Sequence, residues 1–474
     1  MAELPEKLKV LSDKIKNLLA EEQWNECINT CTEFLRLAES ETAVPSTVKA
    51  EVHEFLGDAH WGKGDLDSAF ASGDAHWGKD DLDSAFASYN QAVKLNPRYL
   101  TAYYKRGLAR ALKKDFVNAF KDLRHAVEHV QGFARLDAPS HIASKVQSAE
   151  IFEHLLKIWM TVMGIKTALI CSPSQSPKSV FHYTSLNTLQ KLAGMGKFRL
   201  YNADYMNDSE EGEAFWKIMK EISEEICVHG FREKIYPNKN EESLSPVYIG
   251  SFVRMNESRK HDPNDGELTL WRTYGKNAGV EAAGACLHFD ISQFAERPTQ
   301  SFDGMPSPPE ESMYKVVYAN GGAPTKCLDD YEGLLNIFKE LAYELDRISQ
   351  VQVSDLEKEV ALRLTRELLD DIRFLFKADY YQDERELRIV QSHYTPGQEE
   401  SGGHSGDVKE DENHHPPRLY LTSESLDFRA VTLGPQTPDI LGWQRWLKRK
   451  NSDLKVHRSN IPYGEKNPVT ESKQ

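Results

Sequence analysis

Apolar residues return every three or four positions through much of the first 170 residues, which is the spacing of one face of an α-helix. The clearest runs are Leu8–Ala20, Trp24–Ala38, Leu100–Val127 and Ser148–Ile170. Runs of this kind predict helices that bury one face against each other. The amino-terminal part of the chain is therefore predicted to be an all-α domain.

The pattern changes after Cys171–Lys178, a Ser- and Pro-rich stretch with the composition of a linker between domains. Beyond it, short β-like runs alternate with longer helical patterns, which predicts an α+β domain. The predicted strands are Val180–Tyr183, Phe198–Tyr201, Val247–Val253, Ala285–Phe289, Tyr314–Tyr318, Leu387–Gln391 and Arg429–Leu433. The predicted helices are Leu186–Ala193, Glu210–Val228, Tyr331–Gln350, Leu356–Lys377 and Pro438–Lys450.

Small and large apolar residues stand at regular offsets in the helical run that ends at Val127. The set, with Pro97 before it, is Tyr103, Gly107, Ala119, Leu123 and Ala126. Gly107 and Ala119 would let two helices approach closely, while Leu123 would pack on the next helix pair. These positions resemble the tetratricopeptide repeat, a unit of 34 residues. The resemblance implies a groove that binds a peptide or a helix of a partner protein.

The repeat array contains a tandem duplication. Gly57–Ser72 recurs as Gly73–Ser88, and the two copies differ only at Gly64 and Asp80. Because each copy is about half of a repeat, the duplication is expected to add a helical segment near Asp65–Lys79 and to break the register of the groove. It is either a recent duplication or an artefact of gene prediction.

Three cations of the last repeat, Lys105, Arg106 and Arg110, are candidates for partner binding. Some tetratricopeptide arrays hold a carboxyl-terminal peptide with Lys, Asn and Arg side chains, and the resemblance suggests this role here. The match is incomplete, because Leu108 stands where an Asn would contribute. The alternative is that the three cations form a solvated helix face.

Charge and composition narrow the class of protein. The net charge of −15 weighs against a nucleic-acid binder, since such proteins normally present a basic surface. The first residues do not resemble a signal peptide, and the longest apolar stretch, Ile158–Ile170, is too short to cross a bilayer. The six cysteines lack the paired spacing of a zinc site or disulfide framework. These features predict a cytoplasmic or nuclear protein with no membrane segment.

Five blocks of the second domain resemble a widespread family of unknown function, in the same order and spacing. They are Phe181–Ser185, Gly196–Asn202 with Asn207–Asp208, Leu270–Tyr274 with His288–Asp290, Glu384–Ile389, and Ser459–Tyr463. The resemblance covers most of residues 179–464. It implies no activity, because none is established for that family.

The same domain is distantly similar to ADP-ribosyltransferases that place a His, a Tyr and a Glu on successive strands. His182, Tyr201 and Glu386, or Glu384 in its place, occur in this order. The resemblance implies that His182 and Tyr201 hold the nicotinamide and its ribose, with NAD as the substrate. The Glu would bond the ribose 2′-hydroxyl and stabilise a cationic transition state.

Each of these residues also has a structural interpretation. Glu384, Glu386 and Arg388 share one strand face, which fits either the wall of an NAD site or a solvated edge strand. Trp271 is a candidate to line the pocket and equally a candidate for the core. His182 fits a core histidine as well as a ligand-binding one, and the tyrosines of this domain fit packing aromatics.

Other features of the second domain do not predict chemistry. Pro396–Pro417 is rich in Gly, Glu, Asp and His, which predicts a disordered insertion, so its histidines do not predict a metal site. Lys448–Lys450 ends a predicted helix and is interpreted as a complement to the helix dipole rather than as a nucleic-acid site. No metal is predicted.

The predicted fold class is all-α tetratricopeptide-type repeats followed by an α+β domain that resembles ADP-ribosyltransferases. The predicted segments are 1–146 as repeats, 147–178 as a helix and linker, 179–464 as the α+β domain and 465–474 as a disordered tail. The first functional hypothesis is that the repeats recruit a protein partner to a domain that transfers ADP-ribose from NAD. The second is a non-catalytic adaptor in which both domains only bind partners or ligands.

Overall fold

The computed structural model of this protein describes most of the chain, with gaps. The described residues are 5–40, 44–64, 79–129, 138–171, 179–194, 197–203, 212–236, 247–254, 265–294, 312–320, 323–331, 333–392, 408–412, 418–423 and 426–463. Within these ranges, no helix has both the length and the apolar character needed to cross a membrane.

The chain divides into two compact units, and each is built from several stretches of sequence. The helical unit consists of residues 1–168, 219–242 and 331–369, and the sheet unit consists of residues 169–218, 243–330 and 370–474. Residues 219–242 and 331–369, which the sequence analysis places in the α+β domain, thus belong to the helical unit. Periodicity identifies these helices but carries no information on which unit they pack with.

The helical unit contains α1 to α8, the second half of α10, α11, α13 and most of α14. The helices of the whole chain are α1 Glu6–Ala20, α2 Trp24–Ser40, α3 Ser46–Lys63, α4 Lys79–Leu95, α5 Leu100–Leu112, α6 Phe116–His129, α7 Ala138–Lys145, α8 Ala149–Leu169, α9 Leu186–Ala193, α10 Glu213–Glu225, α11 Phe231–Ile235, α12 Leu268–Thr273, α13 Leu334–Gln350, α14 Asp355–Arg373 and α15 Ile440–Lys450. Three pairs, α1 with α2, α3 with α4 and α5 with α6, pack as successive helical hairpins.

Two glycines set the close approach within these hairpins. A Cβ at Gly57 of α3 would lie 2.4 Å from the Tyr89 ring of α4, and one at Gly107 of α5 would lie 2.8 Å from Leu123 of α6. Tyr89 and Leu123 are one 34-residue period apart, as the repeat requires, whereas Gly57 and Gly107 are 50 positions apart. The difference equals the length of the duplicated segment, so the extra residues lie between α3 and α4.

The α3–α4 hairpin takes its two helices from different copies of the duplication. The α3 helix ends in the first copy, and α4 begins in the second. Asp81 of α4 lies 3.1 Å from the Lys63 amine and 3.3 Å from His60 Nδ1, and Tyr89 donates a hydrogen bond to Asp58 at 3.0 Å. The predicted extra segment near Asp65–Lys79 lies outside the described residues, apart from Lys79.

Deleting Gly64–Lys79 is expected to leave the hairpin intact and to stabilise it. The deletion joins Lys63, the last residue of α3, directly to Asp80 of α4. By the repeat offset, Lys63, Asp80 and Asp81 then correspond to Lys113–Asp115, the turn between α5 and α6, so the adjoining ends of both helices would unwind to form the turn. Shortening the connection lowers the entropy cost of closing it by roughly 1–2 kcal/mol. Thermal unfolding of the full chain with and without the deletion measures the effect. A lower melting temperature would contradict the assignment of these residues as surplus.

The sheet unit contains a ten-stranded sheet and a two-stranded sheet among its described residues. The strands are β1 Ser179–Thr184, β2 Phe198–Asn202, β3 Val247–Val253, β4 Ala285–Asp290, β5 Tyr314–Lys315, β6 Val317–Ala319, β7 Phe376–Ala378, β8 Glu386–Ser392, β9 Lys409–Asp411, β10 Arg418–Ser423, β11 Phe428–Leu433 and β12 Lys455–Arg458. The large sheet runs β12-β11-β4-β1-β3-β2-β10-β9, with β8 on the other edge of β3. Six of the seven predicted strands are present, and the seventh, Tyr314–Tyr318, is divided between β5 of the large sheet and β6 of the small one.

The two faces of the large sheet bury different side chains. One face carries the larger apolar core, which includes Phe198, Phe252 and Leu387. The opposite face carries a smaller cluster that includes Phe181 and Trp271. The sequence analysis missed β7, β9, β10 and β12, and β9 lies inside the stretch predicted to be disordered. Strands this short carry too little alternation to be recognised alone.

Candidate functional site

The three cations predicted to bind a partner are bonded within the repeats. Lys105 Nζ lies 2.7 Å from Glu54 Oε1 and 2.6 Å from Asp58 Oδ2, so it connects α5 to α3. Arg106 forms a two-point contact with Asp122 of α6, at 2.8 Å for each nitrogen. Arg110 donates to the same carboxylate at 2.6 Å. These cations therefore hold neighbouring helices together rather than forming the solvated face.

A groove of about 390 Å³ opens elsewhere in the helical unit. The α5–α6 turn, α8 and α13 form its walls. The lining residues are Lys114, Phe116, Lys157, Met160, Thr161, Ile337, Glu340, Tyr343, Glu344 and Arg347. The α13 positions recur every three or four residues and therefore share one helix face. Tyr343 is 44% exposed, which makes it the main apolar contact that a ligand in this groove could bury.

A buried carboxylate forms part of the groove wall. Glu344 Oε2 lies 2.7 Å from His154 Nδ1, and Glu344 Oε1 accepts a hydrogen bond from Arg347 at 3.1 Å. Burial would raise the pKa of Glu344, but His154 and Lys157 outweigh this and lower the pKa below its usual value. The carboxylate is thus ionised, and neighbouring side chains of the same unit balance its charge. Lys114 is exposed at the rim, where it can meet an acidic group.

In the sheet unit, Glu386 is bonded to two buried cations. Arg388 makes two contacts with its carboxylate, at 2.8 and 3.0 Å, and Lys377 Nζ adds a third at 3.1 Å. The Arg388 side chain has no exposed surface, and Glu386 is 5% exposed. Burial would raise the pKa of Glu386, but the charges of Arg388 and Lys377 outweigh it and lower the pKa to about 2. This carboxylate is ionised, and each of its oxygens is bonded to at least one cation.

Glu384 lies nearer the surface in the same ionic cluster. Its carboxylate accepts hydrogen bonds from Lys377 at 2.8 Å and from the Tyr274 hydroxyl at 2.6 Å. Tyr274 is 38% exposed, so the cluster reaches solvent on this side. The two carboxylates and the two cations, Lys377 and Arg388, balance in charge. The predicted edge-strand interpretation does not describe this cluster, because most of it is buried.

His182 lies on the other face of the sheet from Glu386. In the strand register, Phe181 is opposite Val253, and Val253 is opposite Glu386, so these three share a face. His182 therefore points away from them. Its ring packs at 5.0 Å from the Phe198 ring, and its Nδ1 lies 2.9 Å from the Ser251 carbonyl oxygen. Burial lowers the pKa of His182, so the ring is neutral in this apolar environment.

Tyr201 shares a sheet face with Glu386 but is remote from it. Tyr201 is opposite Ile249, which is opposite Val390, four residues along β8 from Glu386. Two strand spacings and four residues correspond to a separation of roughly 16 Å. The Tyr201 hydroxyl donates to Asp411 at 2.9 Å. His182, Tyr201 and Glu386 thus belong to the same sheet, but their side chains do not surround one common site.

Trp271 is a core residue of the sheet unit. Its side chain has no exposed surface, and its indole N–H donates to the Asp265 carbonyl at 2.9 Å. A Cβ at Gly275 would lie 2.4 Å from the indole ring, and one at Gly266 would lie 2.7 Å from its nitrogen. Gly266 also has a φ of +76°, which other residues rarely adopt. The two glycines leave room for the indole ring of Trp271. Of the two predicted roles of this residue, lining a pocket or packing in the core, its burial agrees with the second.

The groove residues of α13 are the part of the candidate site that sequence reasoning missed. The sequence analysis recognised the helix and assigned it to the α+β domain. A signal was present in the alternation of Ile337, Glu340, Tyr343 and Arg347, which mixes apolar and charged groups on one face. Among the described residues, no group of three or more His, Cys, Asp or Glu side chains is arranged so that it could hold a metal ion.

Comparison with known proteins gives one match. The family described as TPR repeat matches residues 73–113, which include α4 and α5. No curated protein and no solved structure matches the chain. The matched segment begins at Gly73, in the second copy of the duplication, whereas the described hairpin uses Gly57 from the first copy. The chain therefore contains a TPR repeat within a helix-rich amino-terminal region, followed by a region of mixed sheet strands.

Proposed function

We propose that this chain is a protein-interaction adaptor whose helical unit binds a peptide segment of a partner protein. The observation that carries the proposal is the groove between the α5–α6 turn, α8 and α13. TPR repeats typically act by binding proteins or peptides. The groove adds helices from later in the chain to that repeat scaffold.

The side chains that line the groove indicate which type of peptide segment it would bind. Tyr343 and Phe116 offer an aromatic contact for one apolar anchor residue. Lys114 is exposed at the rim, and the buried Glu344 is already bonded to His154 and Arg347. A segment with an apolar anchor residue followed by an acidic residue would therefore fit the groove, because the anchor meets the aromatic side chains and the acidic residue meets the basic rim. Anchors of this type usually dominate the binding free energy of an interface.

For the sheet unit, we favour the adaptor over ADP-ribosyl transfer. Glu386 is 5% exposed, and both of its carboxylate oxygens accept hydrogen bonds from Arg388 or Lys377. A transferase would need this carboxylate to bond a ribose hydroxyl. The position of His182 on the opposite sheet face also weighs against the transferase.

The test is a selection of random 12-residue peptides, displayed on phage, against the full chain. The affinity of the enriched peptides is then measured by fluorescence anisotropy. Tyr343→Ser is expected to weaken binding at least ten-fold, as loss of an interface anchor does. Tyr380→Ser is the matched control, because Tyr380 is 64% exposed in the sheet unit. Enriched peptides that bind Tyr343→Ser as tightly as the natural chain would refute the groove, as would a selection without enrichment.

A further inference from the structure

A concentrated positive surface lies at the carboxyl-terminal end of the sheet unit. We define the basic strip as the exposed residues Arg445, Lys448, Arg449 and Lys450 of α15 with Lys455 and Arg458 of β12. The same stretch, Asp439–Arg458, contains only Asp439 and Asp453 as acidic residues. Its net charge of +4 contrasts with −15 for the whole chain, so the remaining residues together carry −19.

The helix dipole accounts for only part of the basic strip. Lys448, Arg449 and Lys450 occupy the last turn of α15, where cations stabilise the helix. The Lys448 amine also donates to the Ser452 carbonyl at 2.9 Å. Lys455 and Arg458 lie beyond the helix, on β12, where the dipole does not act. A purely structural role would not require cations on both elements.

The strand of the basic strip is at an edge of the sheet. β12 pairs in parallel with β11 and ends the described strand order. An edge strand presents backbone N–H and C=O groups that can pair with a further strand. Charged side chains on such an edge discourage pairing with identical copies, because like charges would meet. The same charges favour a strand of opposite sign.

The apolar side of α15 is not available to a membrane. Trp443 and Trp446 are partly buried and pack against the larger core of the sheet unit. This packing leaves Leu441, at 64% exposure, as the large apolar residue that the helix presents to solvent. Insertion into a bilayer interface requires a whole apolar face. The basic strip is therefore suited to a partner in solution.

We infer that the basic strip binds an acidic, extended segment of a partner polypeptide, which adds to the sheet beside β12. The backbone of the segment would pair with the β12 edge. Because side chains of β12 alternate between the two faces of the sheet, carboxylates on one face of the segment would meet Arg458 and the cations of α15, while Lys455 lies on the other face. Nucleic acid is the weaker candidate, because its phosphate backbone cannot pair with the N–H and C=O groups of a strand edge as a polypeptide does. This surface is separate from the helical groove of the proposed function.

The experiment uses the full chain and a synthetic peptide of four Glu-Val repeats, with binding followed by anisotropy at 50 mM salt. The triple variant Arg449→Gln, Lys455→Gln, Arg458→Gln is expected to bind at least ten-fold more weakly. The control triple, Lys276→Gln, Lys326→Gln, Lys409→Gln, changes net charge equally at exposed positions of the same unit and is expected to bind normally. A thermal melt of both triples separates loss of binding from loss of folding.

Two further probes decide the mode of binding. The same peptide with alternate backbone nitrogens methylated keeps its charges but cannot pair on one edge, and it is expected to bind at least five-fold more weakly. An oligomer of twelve thymidine nucleotides tests the polyanion alternative. The inference is overturned if the methylated peptide binds as well as the unmodified one, if the oligonucleotide binds more tightly, or if both triples bind the peptide alike.

Discussion

Replacing Glu386 with Gln is expected to destabilise the protein by roughly 3–5 kcal/mol, because it leaves Arg388 and Lys377 buried without their shared counter-charge. For a unit of this size, such a loss lowers the melting temperature by roughly 10 °C or more. Circular dichroism of the full chain during heating measures it. Glu281→Gln is the control, since Glu281 is exposed and bonds one tyrosine hydroxyl, and its effect should stay within about 0.5 kcal/mol.

A double variant distinguishes a structural role of this carboxylate from a catalytic one. Glu386→Leu combined with Arg388→Met removes both members of the pair and should cost less than Glu386→Gln alone, because no unpaired Arg remains buried. A catalytic Glu386 would behave differently: Glu386→Gln would keep its melting temperature and lose NAD turnover. An unchanged melting temperature in Glu386→Gln would therefore restore the transferase hypothesis.

The same ion pair gives a pH dependence. The folded pKa of Glu386 is about 2, below its ordinary value of 4.5, so the carboxylate stabilises the fold above pH 4.5. The stabilisation, about 3 kcal/mol at neutral pH, is lost as the pH falls from 4.5 towards 2. The Glu386→Gln variant cannot titrate at this position. Its stability should therefore fall less steeply than that of the natural chain over this range.

Replacing Gly57 with Val is expected to cost roughly 1–3 kcal/mol, because the new side chain would collide with Tyr89. Tyr89 is 1% exposed and its hydroxyl is bonded to Asp58, so the ring has little room to move. Gly73 has the same six residues after it as Gly57, from Asp to Lys. Gly73→Val is thus a closely matched control and should leave stability nearly unchanged.

The pair of variants also decides which copy builds the repeat. The family match begins at Gly73, whereas the described hairpin packs Gly57 against Tyr89. Unfolding in chemical denaturant of both variants reports the free energy of unfolding at each position. If Gly73→Val proves the costly change and Gly57→Val the harmless one, the second copy supplies the helix and the described pairing is wrong.

Local elements of this fold could be predicted well from the sequence, because their signals are local. The run Val247–Val253 coincides with β3, and Leu186–Ala193 coincides with α9. The TPR repeat was visible at Gly107 and Leu123 because the repeat fixes those offsets, and the family match supports it. Periodicity and spacing survive any change in tertiary context, so they can be read from one chain.

Tertiary pairing could not be predicted in the same way. Arg106 looked like a free cation because its partner, Asp122, lies on the next helix, 16 positions away. His182 and Glu386 looked like a convergent pair because order along the chain does not show which sheet face each side chain takes. The strand register that separates them depends on β3, which lies between them in the sheet. Such information exists only once the strands are aligned.

The discontinuity of the helical unit has a consequence for how the chain is made. The α8 helix buries apolar residues along its whole length, and its His154 bonds Glu344 of α13. A ribosome that adds 5–20 residues per second reaches α13 roughly 10–30 s after it completes α8. During that interval the nascent repeats expose an apolar helix that needs protection from aggregation. A fragment cut after residue 178 would retain this exposure, so we expect it to aggregate more readily than the full chain.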